Sequence, residues 1–183
     1  MSEQNKFMHL GIVENGKIYS LKGEHTEALR HYREGIRMCT QENAPEVFFQ
    51  HYTQCVMESL ELSGAHDEVI SYCDKAIALL EGSIDKADFV KKNYVVALEK
   101  KAVQYLLKED KAEATALFKK AQETIGRGKQ PLTDELLNWL QRGYTVSKQQ
   151  ILTTQKKHKY FTVTKENLKP EMAIELPKVV LPI

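Results

Sequence analysis

Cysteine is scarce in this chain, which has only Cys39, Cys55 and Cys73 in 183 residues. An odd number at such wide spacings excludes a secreted disulfide framework, and no two cysteines have the close spacing of a structural zinc site. We therefore expect all three to be small apolar packing residues.

Long apolar runs are missing as well. No stretch approaches the roughly 18 consecutive apolar residues of a membrane-spanning helix, and the first residues do not form a basic leader followed by an apolar segment. We expect no membrane partner and a cytoplasmic location.

Proline is absent between Pro45 and Pro131, and that stretch is rich in Ala, Leu, Glu, Lys and Gln. These residues lose little free energy on entering a helix, whereas proline would interrupt one. With 42% hydrophobic and 28% charged residues, the composition is that of a helix-rich globular protein. The sequence therefore predicts an all-α fold.

Charge is unevenly distributed, although the formal net charge is only +1. Residues 40–90 hold ten acidic and two basic side chains, whereas residues 141–165 hold six basic side chains and no acidic one. This polarity either steers a charged partner or aligns copies of the protein, or it only marks solvated helix faces. Nucleic acid is not the expected partner, because the acidic middle would repel a polyanion.

Three stretches share one pattern and superpose without a gap. They begin at Gly23, Gly64 and Glu109 and read GEHTEALRHYREGI, GAHDEVISYCDKAI and EDKAEATALFKKAQ. Aligned on Gly35, Ala76 and Ala121, they step by 41 and then 45 residues. A period of this size is typical of stacked helical hairpins.

The pattern divides the chain into a repeat domain, residues 1–157, and a C-terminal tail, residues 158–183. The domain comprises hairpins over about 9–40, 45–81 and 84–126 and one final helix over about 133–157, where Thr133 is the expected N-cap. The tail contains Pro170, Pro177 and Pro182 and is expected to be extended.

The repeats resemble the tetratricopeptide family, whose units of about 34 residues are helix-turn-helix pairs. The resemblance is carried in the first repeat by Gly16, Tyr19, Gly23, Ala28, Tyr32 and Gly35, and in the third by Ala102, Tyr105, Ala114, Phe118 and Ala121. The second repeat departs at Met57 and Leu60, and Glu109 replaces the turn glycine in the third. The resemblance implies a right-handed superhelical α-solenoid of three hairpins closed by a capping helix.

The resemblance also implies a concave groove for a partner peptide, lined by the first helix of each hairpin. The residues expected to contact that peptide are Val13, Lys17, Tyr52, Gln54, Glu58, Glu61, Val96, Lys100 and Val103. The chaperone-tail clamp of the family is not expected, because Val13, Cys55 and Val96 stand at three of its five polar positions.

No catalytic, cofactor-binding or metal-binding set is indicated. The histidines and cysteines form no known ligand spacing, and His51 with Cys55, four residues apart on one helix face, is a two-ligand fragment that packing also explains. The glycines near Gly126 lack the spacing and preceding strand of a phosphate-binding loop. We do not expect an enzyme.

The C-terminal tail is unusually apolar for an extended segment. The residues expected to dock are Phe161, Leu168, Met172, Ile174, Leu176, Val180 and Leu181. The tail either covers the protein's own repeats as a lid, docks on another subunit, or simply packs on the last helices.

The leading hypothesis is a non-catalytic protein-interaction module that holds a partner peptide or subunit in the groove. The alternative is a structural assembly component that docks or self-associates through the tail, with a homo-oligomer as the result. A further alternative is a chaperone of the tetratricopeptide type found in bacterial secretion systems.

Overall fold

A computed structural model describes residues 8–177 of the chain, and this range contains helices and no β-strand. The all-α prediction is confirmed. None of the described helices is both long and apolar enough to cross a membrane. The α-helices in this range are α1 (Met8–Leu21), α2 (His25–Gln41), α3 (Glu46–Leu62), α4 (His66–Leu80), α5 (Asp88–Leu107), α6 (Lys111–Ile125), α7 (Pro131–Gln141) and α8 (Lys148–Lys157).

The chain divides into two compact units, Met1–Ser63 with Thr162–Ile183 and Gly64–Phe161. The described part of the first unit consists of α1, α2, α3 and residues 162–177, which we call the tail segment. The second unit contains α4 to α8. The tail segment is not one extended strand, because short 3₁₀ turns occupy Lys165–Asn167 and Pro170–Met172.

In the first unit α2 packs against both α1 and α3, and small residues allow the helices to approach closely. A Cβ atom on Gly16 would lie 2.7 Å from Tyr32 Cε1, and one on Gly35 would lie 2.3 Å from Val13 Cγ2. Ala28 and Tyr32 are fully buried. These repeat positions are therefore small or aromatic for a reason of packing.

In the second unit α5 packs against both α4 and α6, and α7 packs against α6 and α8. Its apolar core takes side chains from α5, α6, α7 and α8. Ala102, Ala114, Phe118 and Ala121, which carried the third repeat pattern, are completely buried in it. Burial of this core is the main stabilising contribution of the unit.

The turns at the three aligned repeat positions share one backbone conformation. Gly23, Gly64 and Glu109 all have a left-handed φ, of 80°, 84° and 66°. At the first turn the N–H of Glu24 donates to Tyr19 O at 2.9 Å, and at the third the N–H of Asp110 donates to Tyr105 O at 2.9 Å. This is the hydrogen bond that ends a helix with a left-handed residue, and glutamate adopts that conformation at greater cost than glycine.

The single helix predicted over residues 133–157 was wrong, because two helices occupy that range. Gly143 ends α7 with a left-handed φ of 75°. Ser147 then begins α8 through a capping box with Gln150. Thr133 is not the N-cap of α7, which starts at Pro131. The predicted end at Lys157 agrees with the end of α8.

Candidate functional site

The predicted groove residues of the first unit lie on α1 and α3, and most of them are buried. Val13 and Tyr52 are 1% exposed and belong to the core, and Tyr52 Oη lies 2.7 Å from His9 Nδ1. The remaining polar members of the set are Lys17, Glu58 and Glu61, which are buried, and Gln54, which is half-buried.

The predicted groove residues of the second unit lie on α5 and differ in exposure. Val96 is 40% exposed, whereas Val103 is completely buried in the apolar core. Lys100 is buried, and its Nζ lies 4.1 Å from the ring centroid of Tyr160, which is a favourable cation–π distance. A role for these residues in binding a partner stays a prediction.

The start of the tail segment is bound by Glu58, a buried glutamate on α3. Its Oε1 accepts the backbone N–H of Thr162 at 2.6 Å, and its Oε2 accepts that of Val163 at 3.0 Å. Val163 itself is buried. Because an ionised carboxylate makes stronger hydrogen bonds than a neutral acceptor, this two-point contact secures one end of the segment.

A second buried glutamate, Glu14 on α1, holds the segment further along. Its Oε1 accepts the backbone N–H of Lys169 at 2.5 Å, and its Oε2 accepts a hydrogen bond from Lys17 Nζ at 3.1 Å. The Glu14 and Lys17 charges therefore compensate each other in a site that is almost closed to solvent. Glu58 and Glu14 both contact main chain, so these contacts do not depend on tail side chains.

Gly11, in the first turn of α1, allows the tail segment to approach the helix backbone. The N–H of Ile174 donates to Gly11 O at 2.9 Å. A Cβ atom on Gly11 would lie 2.5 Å from Met172 O and 2.6 Å from Ile174 Cδ1. Glycine weakens a helix interior by roughly 1 kcal/mol relative to alanine. Here its missing side chain leaves room for the segment.

Glu175 of the tail segment is bound by side chains from α1 and α2. Its Oε2 accepts hydrogen bonds from Asn15 Nδ2 and Tyr19 Oη, both at 2.7 Å. Its Oε1 lies 3.2 Å from His31 Nε2 and 3.7 Å from Arg30 Nη2. Partial burial acts to raise the pKa of Glu175, but the bonds from Tyr19 and Asn15 and the nearby imidazole outweigh it, so the pKa is lowered.

The same side chains also hold the backbone next to Glu175. Arg30 Nη1 donates to Pro177 O at 3.0 Å, and the N–H of Leu176 donates to His31 Nε2 at 3.4 Å. His31 is fully buried, and its Nδ1 lies 2.8 Å from Glu27 O. Because a carbonyl oxygen only accepts, Nδ1 carries a proton and Nε2 is directed toward the tail segment.

We call the residues that contact the tail segment through these bonds the tail face. Its members are Gly11, Glu14, Asn15, Tyr19, Arg30, His31 and Glu58.

One group in the described part of the chain has metal-ligating atoms close together. Ligand atoms of Glu27, His31 and Glu175 lie within 4.8 Å of one another. The guanidinium of Arg30 already provides a cation there, because its Nε donates to Glu27 Oε2 at 2.9 Å and its Nη2 approaches Glu175. A metal ion would have to compete with this fixed positive charge, so we assign no metal site.

His51 and Cys55 do face each other on α3, with Cys55 Sγ 3.9 Å from His51 Nε2. Burial raises the pKa of the Cys55 thiol to about 12 and, with help from the Lys17 charge, lowers the pKa of His51. At neutral pH the pair is therefore a thiol next to a neutral imidazole, which does not supply a thiolate nucleophile.

The predicted docking residues of the tail differ in burial. Leu168 and Leu176 are half-buried, and Met172 and Ile174 are 41% and 39% exposed. Phe161 belongs to the second unit and forms an edge-to-face contact with Tyr160 at 5.1 Å. Val180 and Leu181 lie outside the described residues.

Most of the tail face was not predicted from the sequence. Of its residues only Glu58 was among the expected contacts, while the others were unassigned or were interpreted as parts of the repeat pattern. The sequence offered one signal, Gly11. A glycine inside a predicted helix usually has a packing or functional reason, and the repeat pattern gave none for this position. Glu175 lies 160 residues from Asn15 in the chain, so periodicity gave no indication of their contact.

Comparison of this chain with protein-family models, with curated proteins and with solved structures found no match.

Proposed function

We propose that this protein is a non-catalytic interaction module of tetratricopeptide-like repeats that binds extended polypeptide on the tail face. In the described state the tail segment occupies that face as an intramolecular ligand. The partner would be a peptide or subunit that replaces it. The proposed stacking of the three repeats into a solenoid rests on the common pattern and on the common turn conformation at Gly23, Gly64 and Glu109.

The observation that carries the proposal is the capture of main chain by buried carboxylates. Glu58 accepts two backbone N–H groups, and Glu14 accepts a third seven residues away from the first. Each of these donors exists in any extended peptide without proline at those positions. Backbone contacts of this kind supply affinity, whereas side-chain pockets supply selectivity.

The composition of the tail segment favours exchange. Among its described residues only Val163 is buried, at 9% exposure, and the two large apolar side chains Met172 and Ile174 remain partly exposed. The segment is therefore attached mainly by hydrogen bonds at a few points. Water or another peptide can replace such bonds at modest net cost, unlike the burial of an apolar core.

The test uses the full chain with its tail weakened and its tail face intact. Glu175→Ala removes a tail side chain only. We expect a fluorescent peptide of residues 162–177 to bind this variant roughly 10-fold more tightly than it binds the unmodified chain, because the competing segment is released more often. Fluorescence anisotropy measures the affinity. Glu171→Gln, at an exposed tail glutamate, is the matched control and should leave peptide affinity unchanged.

A second variant addresses the face itself. Adding Glu58→Gln to the Glu175→Ala chain places an amide where the carboxylate accepts two N–H groups, so peptide affinity should fall about 10-fold. Amide exchange reports whether the tail has detached. If the backbone N–H groups of Thr162, Val163 and Lys169 exchange freely in the Glu175→Ala chain and the peptide still fails to bind, the proposal is wrong.

The assembly alternative is supported by the same contacts. A tail segment held at a few points can make identical bonds to a second copy. Light scattering over a range of protein concentrations separates the two functions. A dimer that disappears with Glu58→Gln would favour assembly, whereas a monomer at all concentrations would favour binding of a separate partner.

A further inference from the structure

We infer that the tail face selects a glutamate directly after the residue whose N–H binds Gly11 O, and that the partner is an extended peptide carrying this glutamate. In the tail segment these two residues are Ile174 and Glu175, which we call the pair. The inference rests on the proposed function and names the chemistry of its ligand.

The position of the pair along the face is set by Gly11. The Ile174 N–H bond to Gly11 O fixes the register of the backbone, and the Ile174 side chain lies over the space where a Cβ atom would stand. A peptide shifted by one residue would direct the next side chain away from this space, because successive side chains of extended chain point to opposite sides. The face therefore holds the segment in one register there.

That register places the Glu175 side chain, which stays 52% exposed, beside groups that can bind a carboxylate, and we call these groups the pocket. Asn15 and Tyr19 donate to one oxygen of Glu175, while Arg30 and the buried His31 face the other. Glu27 is the acidic group nearby, and its carboxylate is already paired with Arg30 Nε. The pocket thus offers two neutral donors and a guanidinium to an incoming anion.

Other side chains would be disfavoured at this position. A lysine would place its ammonium beside Arg30 and would give the Asn15 amide and the Tyr19 hydroxyl no carboxylate acceptor. A glutamine has the size of glutamate but carries no charge, and its amide nitrogen would face at least one of the donors. Selectivity for glutamate therefore comes from this pocket and not from Glu58 or Glu14, whose hydrogen bonds to the tail segment are all to its main chain.

Peptide substitution tests the pocket on the same receptor. Peptides of residues 162–177 with Glu175→Gln, with Glu171→Gln or without substitution are titrated into the full-length Glu175→Ala chain. We expect the Glu175→Gln peptide to bind about 10-fold or more weakly and the Glu171→Gln peptide to bind within about 2-fold of the unmodified one. Arg30→Gln in the receptor should reduce the preference for glutamate over glutamine.

The inference can fail while the proposed function stands. If the unmodified and the Glu175→Gln peptides bind equally well, the face binds peptides without selecting glutamate. If no peptide binds, the proposed function fails. If light scattering shows that copies of the chain associate by exchanging tails, the partner is a second copy of this chain and not a separate peptide.

A measurement inside the full chain decides on selectivity without an added peptide. Glu175→Gln should accelerate amide exchange at Ile174 and Leu176 by about 10-fold, while Glu171→Gln should leave it unchanged. Equal protection of these amides in the unmodified and Glu175→Gln chains would overturn the inference. Circular dichroism of both variants verifies that the helices are intact.

Discussion

Glu58 in the first unit and Glu99 in the second are both buried glutamates that accept backbone N–H groups from a later part of the chain. Glu58 binds Thr162 and Val163. Glu99 Oε2 accepts the N–H of Thr133 at 3.1 Å and its hydroxyl at 2.7 Å, and Gln130 Nε2 donates to Oε1 at 2.8 Å. The two carboxylates make the same kind of hydrogen bond to very different partners.

The partner of Glu99 is the first turn of α7, which carries Leu132, Leu136 and Leu137 into the apolar core. The partner of Glu58 is the tail segment, and of its described residues only Val163 is buried. The hydrogen bonds are similar, so the difference lies in the apolar surface buried behind them. We expect α7 to be a permanent part of the second unit and the tail segment to detach from the first.

The largest effect is expected from Glu99→Gln. Its amide leaves at least one of the three donors at α7 without an acceptor, which should lower the free energy of unfolding by about 2 to 3 kcal/mol. Urea unfolding monitored by circular dichroism measures the loss. Glu123→Gln on the exposed side of α6, where the side chain is 65% exposed, is the control and should change stability little. A loss at Glu99 no larger than at Glu123 would contradict the comparison.

An intermediate effect is expected from Gly11→Ala. The added methyl group collides with Met172 O and the Ile174 side chain, so the tail segment should leave α1 at a cost of about 1 to 2 kcal/mol. The helix itself gains stability from alanine, which partly offsets that cost. Amide exchange at Ile174 should increase while the core of the second unit stays protected. Gly82→Ala is the control, because a Cβ atom there meets nothing within 4 Å.

The smallest effect is expected from acid. The pKa of Glu175 is lowered from 4.5, so its contribution to tail attachment is fully present above pH 4.5 and is lost as the pH falls through the lowered value. NMR signals of Ile174 should therefore shift in that acidic range. The Glu175→Gln chain should show no such step at Ile174. A step at neutral pH instead would indicate that another group controls attachment.

The fold class and the local repeat features could be predicted from the sequence. Ala28, Val69 and Ala114 occupy the same position in the three aligned repeats, and all three are completely buried. The break between α7 and α8 was not predicted, because the apolar spacing from Leu136 to Ile151 continues across Gly143. The local signals for the break are Gly143 itself and the capping box of Ser147 and Gln150.

The candidate site was largely beyond prediction. Glu58 was identified through the tetratricopeptide resemblance, but as a contact for a foreign peptide. Its partners in the structure are Thr162 and Val163, more than 100 residues away. Contacts at such separations leave no periodic trace, since the spacing of side chains along one helix says nothing about an irregular segment that crosses it.

The sequence by itself determined what local chemistry controls: helices free of proline, left-handed turns at the ends of repeats, and small residues where helices approach closely. Only the tertiary structure decided which polar groups meet in the first unit. Buried carboxylates and a buried histidine must find partners when they leave water, and the folded chain supplies those partners from its tail segment.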